Sequence, residues 1–290
     1  MSAVRSTLRA LDRLAPPLAA EVAWRLWRHV GAPQRVHPRD AAVHERASRD
    51  TVDIGGRVVA TYRWGNGERV VLLVHGWRSR ASRFSAIVTA LESDDTTIVA
   101  FDAPANGDSP GRLVTVLDYI AAIDALSHRY GPIDTVVAHS FGVLAAASAI
   151  REGVMARRLV GVAGMASADQ LVSAFAHQIG LSERATAGLR RRIERRTFPH
   201  VTDPWGRFIT SVGDKSEGMP LLLIHDSGDV TVSASEAQLI AQAHHGPTRK
   251  VSTSGLGHSR ILSDPGVIAE ITGFVTREPT RSSASSRRTR

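Results

Sequence analysis

Short apolar runs alternate with amphipathic segments through the middle of the chain. Residues 70–74, 97–101, 135–138, 159–162 and 221–224 form runs that are mostly apolar, and the segments between them repeat apolar residues at helical spacing. A continuous apolar run of this length is typical of a strand buried on both faces. The alternation therefore predicts an α/β fold, with a parallel sheet, helices on both faces and ligand sites at the carboxyl ends of the strands.

The remaining predicted elements complete this pattern. In chain order they are a helical segment over 8–30 with a break at Pro16-Pro17, a polar linker over 38–50, a hairpin of strands 51–54 and 57–62, helices over 81–91, 113–130, 141–150 and 235–244, a strand over 249–252, and a last helix over 265–275. The stretch between Gly164 and Gly218 contains helical, arginine-rich and proline-containing pieces without a convincing strand, so we expect it to form a lid over the site.

This pattern divides the chain into four parts. We expect an N-terminal helical extension over 1–46, an α/β core over 47–163 and 218–277, a cap insertion over 164–217, and a disordered basic tail over 278–290. Trp24, Trp27 and the neighbouring arginines suit an interfacial membrane helix, but we favour two helices that pack on the main domain.

Charge and composition exclude several classes of function. The formal net charge of +8 resides in two arginine-rich stretches, 183–196 and 277–290, without the interleaved aromatic residues of a nucleic-acid surface. The absence of cysteine excludes disulfides, thiolate metal sites and a cysteine nucleophile. The chain has neither a signal-like apolar segment nor an apolar run of about 18 residues that would span a membrane. We therefore expect a cytoplasmic protein that does not bind nucleic acid.

Candidate chemistry begins at Ser140, where a strand pattern breaks and an alanine-rich helix pattern starts. The small residues Ala138 and Gly142 flank it, as a sharp strand-to-helix turn requires. Such a turn exposes a serine hydroxyl as a nucleophile and directs helix N–H groups towards a developing oxyanion. The alternative is an ordinary strand-loop-helix in which Ser140 is an N-cap.

Three other segments end at the same predicted edge of the sheet. Trp77 follows the 70–74 strand, and its N–H suits an oxyanion hole together with that of Phe141. Asp229 lies in the loop after 221–224 and suits the acid that orients a histidine. His258 lies in a glycine-rich loop after 249–252 and suits the general base. The alternatives are a simple turn at Trp77 and helix capping by Asp226 and Asp229.

The order Ser, Asp, His along the chain is that of α/β-hydrolases, and the chain resembles this family over about 51–275. The matching residues are His75-Gly76-Trp77, the run 101–109, the 138–142 elbow, the Asp229 loop and Gly257-His258. The resemblance implies a mostly parallel eight-stranded sheet with a helical cap after the sixth strand. It also implies nucleophile Ser140, acid Asp229, base His258 and oxyanion donors Trp77 and Phe141.

The resemblance extends to a narrower group, and it has departures. The N-terminal Leu-Ala-Pro helix, Arg63-Trp64-Gly65 and the Gly-Leu-Gly-His-Ser-Arg-Ile-Leu block are similar to a bacterial group of esterase-like serine hydrolases. Ala138 replaces the usual elbow glycine, Ala105-Asn106-Gly107 replaces a frequent Gly-His-Gly, and Val230 replaces a common proline. None of these changes removes a catalytic group.

We therefore expect hydrolysis of a carboxylic ester or related small acyl substrate, with no cofactor and no metal. A thioesterase, lactonase or amidase on the same triad is the nearest alternative, and a non-catalytic protein that binds a small ligand is a more distant one. The cap residues Phe175, Phe198, Trp205 and Phe208 either line the acyl pocket or pack the cap on the core. The sequence leaves the oligomeric state open.

Overall fold

The computed structural model describes residues 2–277, so the basic tail expected over 278–290 lies outside the described residues. In the described part, eight strands form one sheet. They are β1 (Ser48–Asp53), β2 (Val58–Trp64), β3 (Arg69–Val74), β4 (Thr96–Asp102), β5 (Ile133–His139), β6 (Ala156–Val162), β7 (Leu221–Asp226) and β8 (Thr248–Thr253). Their order across the sheet is β1-β2-β4-β3-β5-β6-β7-β8.

The sheet is mostly parallel. Strand β2 pairs in an antiparallel register with β1 and β4, whereas β3 to β8 pair in parallel. The predicted hairpin corresponds to β1 and β2. The expected eight-stranded, mostly parallel sheet is therefore confirmed.

The central strands are mostly apolar, and both faces of the sheet are covered. Successive side chains of a strand point to opposite faces. In β3, Leu72 and Val74 belong to one hydrophobic core, and Val71 and Leu73 belong to a second one. All four side chains are at most 1% exposed.

The helices of residues 2–277 occupy both sides of this sheet. They are α1 (Ser2–Leu14), α2 (Pro16–Trp27), α3 (Pro38–Glu45), α4 (Ser85–Leu91), α5 (Val116–Tyr130), α6 (Phe141–Arg151), α7 (Ala168–Ile179), α8 (Glu183–Thr197), α9 (Pro204–Arg207), α10 (Ser235–Gln242), α11 (Gly257–Arg260) and α12 (Pro265–Thr276). Among the described residues, no helix combines the length and the apolar character needed to cross a membrane.

The expected polar linker over 38–50 is wrong. Helix α3 begins at Pro38, and β1 begins at Ser48. The residues that α3 buries are Asp40 and His44. Since these are polar, the helix has no apolar periodicity for a sequence pattern to detect.

The N-terminal helices pack against the insertion between β6 and β7, not only against the main domain as expected. Glu21 of α2 forms ion pairs with Arg192 and Arg196 of α8, at 3.1 and 3.0 Å. Asp12 of α1 accepts hydrogen bonds from the N–H and hydroxyl of Ser182. The arginine-rich segment of the insertion therefore holds the N-terminal helices in place.

Candidate active site

Four loops bring the candidate site together at one edge of the sheet. Ser140 follows β5, Trp77 follows β3, Asp229 follows β7, and His258 lies in α11 after β8. Because these strands are parallel, their carboxyl ends lie at the same edge.

Ser140 stands at a strained turn between β5 and α6. Its φ is 56° and its ψ is −123°, a conformation that costs a non-glycine residue about 1–3 kcal/mol. Two glycines let the surrounding backbone approach this turn. A β-carbon on Gly142 would lie 2.4 Å from the carbonyl oxygen of Val74, and one on Gly76 would lie 3.0 Å from Cβ of Ser140. Ala138, which stands in the elbow's glycine position, is fully buried in β5.

His258 connects Ser140 to Asp229. Its Nε2 lies 3.0 Å from Oγ of Ser140, and its Nδ1 lies 2.7 Å from Oδ2 of Asp229. With a proton on Nδ1, the ring donates to the carboxylate and leaves the Nε2 lone pair to accept the serine proton. The three side chains expected from sequence are thus placed as a continuous hydrogen-bonded chain.

Asp229 is held as a carboxylate. Burial acts to raise its pKa, but donors from His225, His258 and the N–H of Val232 outweigh burial and hold the pKa well below its ordinary value. Its Oδ1 also accepts from the N–H of Thr231 at 2.8 Å. The neighbouring Val230, which stands where proline is common, is 99% exposed and makes no buried contact.

His225 is a neighbour of Asp229 that no sequence motif identifies. Its Nε2 donates to the carbonyl of Val232 at 3.0 Å and lies 3.5 Å from Oδ2 of Asp229. Burial lowers the pKa of His225, but the carboxylate and the carbonyl outweigh burial and raise the pKa above its ordinary value. The four-residue spacing to Asp229 was its only sequence signal.

Asp226 joins the acid loop to the histidine loop instead of capping α10. Its Oδ2 accepts from the hydroxyl of Thr253 at 2.8 Å and from the N–H of Leu256 at 3.0 Å. Burial acts to raise the pKa of Asp226, but these donors outweigh it and lower the pKa. The side chain thus fixes the position of the segment that carries His258.

A second histidine, His139, packs beside His258. The ring centroids are 4.9 Å apart, and Nε2 of His139 donates to the carbonyl of His258 at 2.9 Å. Burial and the nearby His258 lower the pKa of His139 from 6.5 to about 3, so it is neutral at pH 7. No sequence pattern distinguishes His139, although it directly precedes Ser140.

The two residues that are expected to supply the oxyanion donors pack against each other through their rings. Phe141 is the first residue of α6, so its N–H has no acceptor within the helix. The ring of Trp77 packs edge-on against that of Phe141, with centroids 5.4 Å apart. No backbone acceptor among the described residues bonds the N–H of Trp77.

A cavity of about 160 Å³ opens beside Ser140 and His258. None of the four aromatic candidates of the insertion lines it. Phe198 and Phe208 pack on each other with centroids 5.0 Å apart, and Trp205 donates to Glu194. Phe175 packs edge-on against Trp27 of α2, which in turn stacks near Trp77.

The titratable groups of the site are not arranged as a metal centre. Within residues 2–277, no group of three or more His, Cys, Asp or Glu side chains has the arrangement needed to hold a metal ion.

Comparison with solved structures finds the same fold in proteins of different activity. The alpha/beta hydrolase domain-containing protein 10 from mouse is 17% identical, with a TM-score of 0.59 over 79% of this chain and 97% of that protein. An esterase from Pyrococcus furiosus is 18% identical, with a TM-score of 0.58 over 85% and 97%. A haloalkane dehalogenase from Bradyrhizobium elkani is 17% identical, with a TM-score of 0.57 over 79% and 97%.

Sequence comparison identifies the family. No curated protein matches the chain significantly. The model of the alpha/beta hydrolase family matches residues 71–271, which is more than half of the chain and includes all four loops of the site. The protein therefore belongs to the alpha/beta hydrolase family.

Proposed function

We propose that the protein is a serine hydrolase that cleaves a carboxylic ester or a related acyl substrate. The observation that carries this proposal is the position of His258, whose two ring nitrogens lie 3.0 Å from Oγ of Ser140 and 2.7 Å from the carboxylate of Asp229. A serine bonded to a base that is itself oriented by a buried acid is the arrangement that activates a hydroxyl for acyl transfer.

The reaction has two halves. Oγ of Ser140 attacks the carbonyl carbon while Nε2 of His258 takes the hydroxyl proton, and the N–H groups of Trp77 and Phe141 stabilise the oxyanion. The intermediate then collapses, and the leaving alcohol takes the proton from His258. In the second half, water attacks the acyl-enzyme carbonyl while His258 takes one of its protons. The bond between the acyl carbon and Oγ of Ser140 then breaks, Oγ takes the proton back from His258, and the acid is released.

Asp229 and its neighbours serve this cycle through electrostatics. The imidazolium formed in each half lies beside the buried carboxylate of Asp229. Burial acts to raise the pKa of this carboxylate, but its hydrogen-bond donors hold the pKa well below its ordinary value, so the acid stays ionised. Asp226 fixes the loop of His258 through the N–H of Leu256. We also propose that residues 164–217 form a cap over the site.

The type of acyl bond that the enzyme cleaves has several alternatives. Thioesters, lactones and amides react by the same steps, and structural neighbours such as the Pyrococcus furiosus esterase and the haloalkane dehalogenase carry different activities on this fold. An ester is our choice over an amide because an ester carbonyl is more electrophilic and an alcohol leaves more readily than an amine. A panel of matched acyl esters, thioesters, lactones and amides would rank these substrates by kcat/KM.

A fluorophosphonate probe tests the proposal. We expect one covalent adduct on Ser140, located by peptide mass spectrometry, and no adduct in Ser140→Ala. Ser148, which is buried in α6, provides a matched control, because Ser148→Ala should label as the unmodified protein does. Absence of labelling in the folded unmodified protein, or an adduct on another residue, contradicts the proposal.

A further inference from the structure

The cavity beside Ser140 has a cationic wall. Arg78 and Arg83 line it together with Ser140 and His258, and its lining among the described residues includes no aspartate or glutamate. The mechanism proposed above uses neither arginine.

Arg78 lines the cavity and has a costly backbone conformation. Its φ is 54°, which a non-glycine side chain rarely adopts, and its guanidinium lies so close to Gly31 that a β-carbon there would be 3.0 Å from Nη2. Within residues 2–277, no carboxylate lies within salt-bridge distance of Arg78. The charge of Arg78 is therefore not neutralised by a direct ion pair within the described chain.

Arg83 is only partly neutralised. Its Nη1 lies 3.9 Å from Oδ2 of Asp40, at the limit of an ion pair, and its side chain is 21% exposed. Asp40 also faces the guanidinium of Arg39 at 3.6 Å, so one carboxylate is shared between two cations. Together the two cavity arginines leave a positive charge next to the nucleophile.

We propose that the natural substrate is an ester that carries a carboxylate, which Arg78 and Arg83 bind while Ser140 attacks the ester carbonyl; this inference rests on the proposed function. A guanidinium presents paired N–H donors that match a carboxylate. The cavity of about 160 Å³ leaves room for a carboxylate-bearing group beside Ser140.

Matched ester pairs test this inference and locate the charge. For charge on the acyl side, the p-nitrophenyl monoesters of adipic and suberic acid are compared with the same compounds methylated at the free carboxyl. For charge on the alcohol side, 4-acetoxybenzoate is compared with its methyl ester. A charge-assisted contact predicts that kcat/KM favours the anionic member of one series by about 10- to 100-fold, and the preference falls with added salt.

Variants identify the source of that preference. Arg78→Ala and Arg83→Ala should each lower the anionic-to-neutral ratio of kcat/KM by about 10-fold or more, chiefly through KM, whereas Arg78→Lys retains part of it. Taking the ratio within one variant cancels any loss that affects both substrates equally. Arg195→Ala, an exposed position on α8 outside the cavity, is the matched control and should keep the ratio.

The outcomes separate this inference from the proposed function. If the fluorophosphonate does not label Ser140 and no ester of either series is hydrolysed, the proposed function fails. If neutral esters are hydrolysed and both anionic series react equally well or worse, the anionic-substrate inference is overturned. A preference for anions that survives in Arg78→Ala and Arg83→Ala overturns it as well.

Discussion

Gly142→Ala is the substitution whose effect on the elbow follows most directly from distances. Gly142 is the second residue of α6, and a β-carbon there would lie 2.4 Å from the carbonyl oxygen of Val74 and 2.7 Å from that of His75. Both oxygens belong to backbone at the end of β3, in the middle of the sheet, so neither can move without its neighbours. The start of α6 must therefore move away from β3.

The size of the effect has two parts. Overpacking at a rigid core contact costs about 1–3 kcal/mol, and each kcal/mol lowers the melting temperature of a domain this large by about 2–4 °C. We therefore expect melting about 2–12 °C lower than in the unmodified protein. The same displacement moves Phe141 relative to Trp77, and loss of one oxyanion donor lowers kcat by about 10²–10³-fold.

Gly273→Ala is the matched control for this prediction. Gly273 lies inside α12, and a β-carbon there would meet no atom within 4 Å. This change should stabilise the protein by about 0.5–1 kcal/mol and leave kcat unchanged. The melting temperature and the kcat for ester hydrolysis are measured for both variants and compared with those of the unmodified protein. A Gly142→Ala protein with unchanged melting temperature and a kcat within twofold of the unmodified protein would refute the packing argument.

Three further predictions concern the acid Asp229, the buried His139 and Gly107, a glycine with positive φ. Asp229→Asn should lower kcat by about 10³–10⁴-fold without loss of fold, and a loss below tenfold in stopped-flow assays would contradict its role. Folding lowers the pKa of His139 from 6.5 to about 3, so between these pH values His139 is protonated in the unfolded chain but neutral in the folded one. The free energy of unfolding therefore decreases as the pH falls below 6.5. Urea unfolding of His139→Gln at pH 7 and pH 5 should show a shallower pH dependence than the unmodified protein, by up to about 1.4 kcal/mol per pH unit; equal slopes contradict this. Gly107→Ala should destabilise more than Gly131→Ala in the same assay, because both glycines have positive φ but only at Gly107 would a β-carbon collide with Asp102, 1.9 Å from Oδ2.

The sheet was predictable because its strands are buried on both faces. Strands β3, β5 and β7 appear in the sequence as nearly continuous apolar runs, and the parallel pattern places the residues that follow them at one edge. The relation between Ser140, Asp229 and His258 follows from that topology together with the order of the three residues. The distances between them follow only from the three-dimensional fold.

What the sequence pattern missed depends on polar contacts between distant segments. Helix α3 buries Asp40 and His44 and therefore carries no apolar stripe. The amphipathic α2 predicts that one of its faces is buried but not that Glu21 pairs with arginines more than 170 positions away. Arg78 carries no local motif, and only the fold places it at the cavity of Ser140.

The central claim is that Ser140 carries the acyl group between the two halves of the reaction. Rapid acid quenching of the protein mixed with p-nitrophenyl acetate, followed by intact-mass and peptide analysis, measures this directly. We expect one acetyl group per chain on Ser140, formed together with a burst of p-nitrophenol, and neither signal in Ser140→Ala. Acetylation at another residue, or hydrolysis by Ser140→Ala at the rate of the unmodified protein, would contradict the account.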